Sequence, residues 1–91
     1  MKFKDEDFGK PISKELSDLL KEFTTKNDVA DASTETGVSI STIRDVSRRS
    51  NMLTPGNSVA IIELIKIAHK NCENKIVRAN IGKAYIEKLK K

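Results

Sequence analysis

Cysteine is almost missing from the chain. Cys72 is the single one in 91 residues, which excludes an intrachain disulfide and a cysteine-built zinc cluster and suits a reducing compartment. Tryptophan is absent and aromatic residues amount to 4%. That is too few for the stacking platform on which unpaired bases lie, so recognition of single-stranded RNA ranks last among the binding readings. No run approaches the roughly 20 apolar residues of a membrane span. The most apolar stretch, "VAIIELIKIA", is interrupted by Glu63 and Lys66 and belongs in a core. The opening "MKFKDEDFGKP" mixes three lysines with three acids and lacks the apolar block of a secretory signal. No membrane partner is expected, and the expected location is the cytoplasm.

Catalytic equipment is equally thin. His69 is the single histidine and has only Cys72 near it on its helix face, too few for a metal-ligand set, so it reads as a helix-surface residue rather than a metal ligand. Cys72 has no histidine–acid partnership and reads as a structural or semi-exposed thiol. The serines are framed by neither a nucleophile elbow nor a phosphate-cradling glycine loop. No enzyme activity, metal or cofactor is expected.

What the chain does have is charge and period. Lys+Arg number 17 against 13 Asp+Glu, a net charge of +4, compatible with a polyanionic partner. With 37% hydrophobic and 33% charged residues, one small folded domain is expected, its core only just large enough to stand without staples.

Ile12, Leu16, Leu19, Leu20 and Phe23 fall on one helix face, predicting a helix over 13–25 with Ser13 as its cap. Val29, Ala32, Ser33 and Thr36 then make a stripe of small side chains. Asn27 can cap this second helix, Asp28 and Asp31 suit the positive end of its dipole, and Gly37 stops it. Ser39 offers a cap for a third helix, where Ile43, Val46, Ser47 and Ser50 form one stripe and Ser41, Arg44, Asp45 and Arg48 another. The two are offset by about 200° and face opposite ways. "NMLTPGN" reads as a turn-rich connector before Asn57 or Ser58 caps a fourth helix over 59–70. That helix is apolar nearly all round, with Glu63, Lys66 and Lys70 as a narrow wet stripe, so it is central to the core or shared with a partner.

The tail reads as a helix with Val77, Ile81, Ala84 and Tyr85 on one face. A hairpin turning at "NIG" competes, helped by the β-formers of "KIV" and "AYI" and by the weakness of Gly82 in a helix. The expected fold is all-α, a small bundle of about five helices containing a helix-turn-helix. Residues 1–11 form an N-terminal extension, 12–71 the domain, and 72–91 a C-terminal helix or tail that is the candidate dimerisation element.

A small-faced helix, a glycine turn and a helix with one apolar and one polar face is the arrangement of a helix-turn-helix, whose outward polar face is where DNA lies. Across residues 27–71 the chain resembles the phage repressor and Cro type of helix-turn-helix proteins. Ser33 stands four residues before Gly37, Val38 and Ser39 follow the glycine, Ile43 and Val46 take the buried positions, and "LIKIAHK" is similar to a string of the following core helix. There are departures. Ser33 replaces the usual Ala, Ala32 a larger apolar residue, and Val29 the Gln that often opens the motif. They keep the small-faced geometry and leave the customary glutamine contact to the DNA backbone without its residue.

The resemblance implies a transcriptional regulator that binds duplex DNA, with Ser39, Ile40, Ser41, Arg44, Asp45 and Arg48 directed at the major groove. Arg44 is the candidate base reader, because a guanidinium can bond guanine O6 and N7 together. Asp45 either accepts from a cytosine amino group or orients Arg48 or Arg49. Thr42 and Arg49 are candidate phosphate partners, and Ser39 suits either role. Lys83, Lys88, Lys90 and Lys91 are a solvated helix end or non-specific phosphate contacts. A homodimer is expected through helix 4 or the tail, because one recognition helix reads too few base pairs. The rival reading is a protein-interaction module, antitoxin-like or a phage-encoded adaptor, whose partner is another protein. A plainer reading, helix-turn-helix geometry as simple core packing with solvated basic residues, gains from Asp28, Asp31 and Glu35, acids beside the candidate DNA face.

Overall fold

Each α-helix opens on a hydroxyl side chain that accepts a hydrogen bond from an amide of the first turn, satisfying one of the donors a helix start leaves unpaired. In the computed structural model, which describes residues 2–90, Ser13 opens α1 (Lys14–Phe23) and Thr25 opens α2 (Lys26–Thr36). Ser39 opens α3 (Ile40–Ser47), and Thr54 opens α4 (Pro55–Leu89). A 3-10 turn at Asp5–Asp7 precedes them, and no strand occurs among the described residues. The chain is all-α, with four α-helices rather than the expected five.

Two helix starts differ from expectation. The Thr25 hydroxyl accepts from the Asp28 amide at 3.2 Å while the Asp28 carboxylate accepts from the Thr25 amide at 2.9 Å. This reciprocal box places Asn27 inside α2 rather than at its cap. "TPGN", expected as a connector, is the start of α4. Thr54 and Asn57 exchange the same pair of bonds, at 3.1 and 2.8 Å, and Pro55 takes the first helical position, where its missing N–H is no loss. Asn57 and Ser58 are therefore buried within the helix rather than capping it. The Asn57 amide group also donates to the Met52 carbonyl at 3.1 Å, and the Ser58 hydroxyl donates to the Pro55 carbonyl at 2.9 Å.

The fifth helix is missing because the fourth continues for 35 residues. No glycine or proline stands between Lys70 and Ile81 to end it. Asn71 instead fastens the helix to the body: its Nδ2 donates to the Phe23 carbonyl at 2.8 Å and to an Asp28 carboxylate oxygen at 3.1 Å. The tail is thus helix and not hairpin, with Gly82 tolerated inside it. Of its lysines, Lys91 lies outside the described residues.

One core joins the four helices. α4 contributes Ala60, Ile61, Leu64 and Ala68, α1 Leu20, α2 Ala32, and α3 Ile43 and Val46, with Ile12 and Leu53 added from the connecting segments. The small Ala32 lets α2 lie close to its neighbours. Residues before α1 fold back onto this body. The Gly9 amide donates to the Leu53 carbonyl at 2.9 Å, the Leu53 amide donates to the Lys10 carbonyl at 3.0 Å, and Phe3 and Phe8 pack against the core. Beyond Cys72 the chain leaves the body, and from Glu73 to Leu89 every residue except Gly82 is exposed. The described chain consequently measures 56 × 25 × 22 Å.

Two glycines are expected to respond oppositely. Gly37 holds a left-handed backbone at φ 77°, with open space where a Cβ would stand, so Gly37→Ala should cost about 1 kcal/mol through the backbone alone. A thermal melt should show Tm lowered by about 5 °C. Gly82 also faces open space but is helical. Gly82→Ala should increase helical circular dichroism and stabilise α4 by about 0.5–1 kcal/mol.

Candidate nucleic-acid interface

The rotation of α3 about its axis is set from inside. Ile43 and Val46 are fully buried, and the Ser17 hydroxyl of α1 donates to the Ser47 carbonyl at 2.7 Å. At the other end the Gly37 amide closes α2 by donating to the Ser33 carbonyl at 2.8 Å. Ser39 then starts α3, its Oγ accepting from the Thr42 amide at 3.2 Å and donating to Thr42 Oγ1 at 2.8 Å. Held this way, α3 presents Ile40, Ser41, Arg44 and Arg48 to solvent.

Three of these residues line an open groove. Ile40, Arg44 and Arg48 face Lys21 and Thr24 at the end of α1 and Thr25, Lys26 and Val29 at the start of α2. The groove thus gathers four cationic side chains from three helices and no carboxylate. None of the four forms an ion pair among the described residues. Lys26 is the first residue of α2, where a positive charge opposes the helix dipole. Cations crowded around a helix N-terminus are mutually unfavourable in water, and a bound anion relieves both terms.

The acids of α2 point elsewhere. At about 100° per residue, Asp31 and Glu35 lie about 140° and 180° around the helix from Lys26. Asp28 is engaged with Thr25 and Asn71. Negative charge that is adjacent in sequence is therefore turned away from the groove.

The eight residues singled out in the sequence divide. Ile40, Arg44 and Arg48 share the groove, and Ser41 is exposed on the same helix, its hydroxyl 3.4 Å from that of Ser39. Ser39 and Thr42 are bonded to each other at the start of α3. Asp45 is half-buried on the flank of α3, and its carbonyl accepts from the Ser50 and Asn51 amides at 2.8 and 3.2 Å. Among the described residues its carboxylate pairs with neither Arg48 nor Arg49. Arg49 is set apart from its neighbour. Its backbone is left-handed at φ 66°, rare outside glycine, and its Nε donates to the Ile12 carbonyl at 2.8 Å. It lines a different cleft, beside Phe3, Asp7 and Lys10.

Lys21 and Lys26 were not singled out in the sequence, because they reach the groove from helices other than α3. The available signal was the lysine at the first position of α2, which only the correct cap, Thr25, makes visible. Outside the groove, His69 is exposed and paired with Glu73 at 3.1 Å, and Cys72 is half-buried. No helix among the described residues is long and apolar enough to cross a membrane.

Comparison with protein-family models, with curated proteins and with solved structures finds no match to the chain.

The adjacent arginines should separate in a stability measurement. Arg49→Met removes the bond that ties the end of α3 to the segment before α1, and is expected to cost about 1 kcal/mol in denaturant unfolding. Arg48→Met, on the exposed wall of the groove, should change stability by less than about 0.5 kcal/mol. Equal effects would show that Arg49 is not the structural member of the pair.

Proposed function

We propose that this chain is a transcriptional regulator that binds duplex DNA sequence-specifically, with α2, the Gly37 turn and α3 acting as a helix-turn-helix. One observation carries the reading: Lys21, Lys26, Arg44 and Arg48 converge on an open groove bordered by the start of α2, from which the acids of α2 are turned away. Such a surface suits a polyanion, and the exposed row of α3 suits entry into a major groove. No metal, cofactor or catalytic step is part of this reading, and its setting is the cytoplasm.

In the proposed complex Arg44 reads a base, Ser41 lies against the neighbouring base edge, and Ile40 offers apolar contact to a thymine methyl. Lys21, Lys26 and Arg48 neutralise flanking phosphates, which position the helix without carrying sequence information. Arg49 is assigned to the fold instead of to a phosphate, because its Nε is bonded to Ile12. Two copies on paired half-sites would supply the specificity that one α3 lacks. The rival reading, a protein-interaction module, draws its support from the exposed apolar residues of the α4 tip, and these also suit a second copy of the chain.

Selection from random duplexes followed by titration at several salt concentrations tests the proposal. Three phosphate-neutralising cations per copy in this arrangement predict a log–log salt slope of about −2.7 per bound copy. Lys26→Ala should weaken all sequences alike and reduce the slope by about 1, whereas Arg44→Ala should cost about 1–3 kcal/mol on the selected site and relax one base position. Absence of binding at low salt would overturn the reading.

A further inference from the structure

The tip of α4, residues 73–89, meets the body only at its root, where the Lys75 ammonium lies 4.9 Å over the Phe23 ring, and Ile76, Val77, Ile81, Tyr85, Ile86 and Leu89 beyond it are all more than half exposed. A helix of this length is marginal alone in water, and four of these residues are β-branched, which lowers its intrinsic stability further. The exposed apolar residues form two rows. Ile76, Ile86 and Leu89, with Cys72 and Ala79, prolong the side of α4 that faces the body. A second helix running parallel along that row would meet α1–α3. Val77, Ile81, Ala84 and Tyr85 form the other row. Val77 and Ala84 follow the core residues Ile61 and Ala68 by 16 residues each, a rotation of about 160° that puts them on the far side of the helix. There a neighbour has room.

The geometry points to a second copy of this chain as the occupant of that far row, its α4 tip paired in parallel as a short two-stranded coiled coil. The sequence around the row fits a heptad. Val77 and Ala84 take d positions, Asn74 and Ile81 take a positions, and a single asparagine at an a position is a known means of fixing parallel register. Glu73 and Arg78 then occupy g and e positions, so Glu73 of each copy faces Arg78 of the other across the seam, and the pair is made twice by symmetry. Ala84 permits close approach, and Tyr85 covers the edge. Lys88 falls at the next a position, where two ammonium groups repel and the pairing ends. About two heptads bury less than the roughly 1,200 Å² of a standard stable interface, so the association is weak and concentration-dependent. It is argued from α4 alone and stands whether or not the groove binds DNA.

Sedimentation equilibrium of the full chain, without nucleic acid and with a reductant to exclude a Cys72 disulfide, tests the pairing. The wild type should show a reversible monomer–dimer equilibrium. Ile81→Glu should weaken the dimer at least about 30-fold by placing a charge in the seam, while Ile86→Glu, on the other row, should change it by less than about 3-fold. Glu73→Arg should weaken it roughly 5-fold, and Glu73→Arg combined with Arg78→Glu should restore it. All these positions lie beyond the core, so an unchanged Tm for the body confirms that each variant is folded. Monomer mass at about 1 mM chain, equal loss in Ile81→Glu and Ile86→Glu, or failure of the double variant to recover overturns the proposal. A chain that stays monomeric alone and pairs only when bound to duplex overturns it equally.

Discussion

Everything in this small protein hangs on the first half of α4. Ala60, Ile61, Leu64 and Ala68 present one apolar side against which α1, α2 and α3 each lay a small number of residues. A domain of this size buries only about 60–65% of the surface its unfolded chain exposes, so there is little reserve. Loss of any large member of that set leaves a cavity that neighbours cannot readily fill. The polar groups near the core are fully engaged. Asn57, 7% exposed, is bonded on both sides of its amide, and no buried side-chain polar atom among the described residues lacks a partner. The packing also decides what is left outside: once Ile43 and Val46 are seated on α4, Arg44 and Arg48 have no course but outward.

Where period and local chemistry coincide, the fold was legible in the sequence. Gly37 is left-handed at the end of α2, Ser39 starts α3, and the two stripes of α3 separate into a buried pair and an exposed cationic row. Legibility failed where one residue type admits two roles. Proline and glycine after Thr54 suggest a turn, yet Pro55 is also well suited to a first helical turn, and the Thr54–Asn57 exchange decides for the helix. The junction near Asn71 looks weak because asparagine is a poor helix former. Its amide, however, is spent on Phe23 and Asp28, residues 48 and 43 positions earlier, and no local pattern reveals such a bond.

The groove was legible only on one wall. Arg44 and Arg48 follow from helical spacing, but Lys21 and Lys26 join them through the close approach of α1 and α2, a tertiary matter. Arg49 looked equivalent to Arg48 in sequence. Its left-handed backbone is set by the way the chain leaves α3, and few non-glycine residues announce that in advance. The groove's charge therefore combines residues from three helices, and the formal charge of the 39–51 segment is a poor guide to it.

The unbroken course of α4 also makes it a lever. Its last hydrogen bonds to the body are those of Asn71, at the corner between α1 and α2, with the Lys75 ammonium over the Phe23 ring just beyond, and the roughly 27 Å of helix after Asn71 acts as an arm. A tilt of about 5° at that corner moves the Leu89 end by about 2 Å, close to half the rise of one helical turn. The few contacts at that one corner thus govern the angular accuracy with which the far end of the molecule is placed.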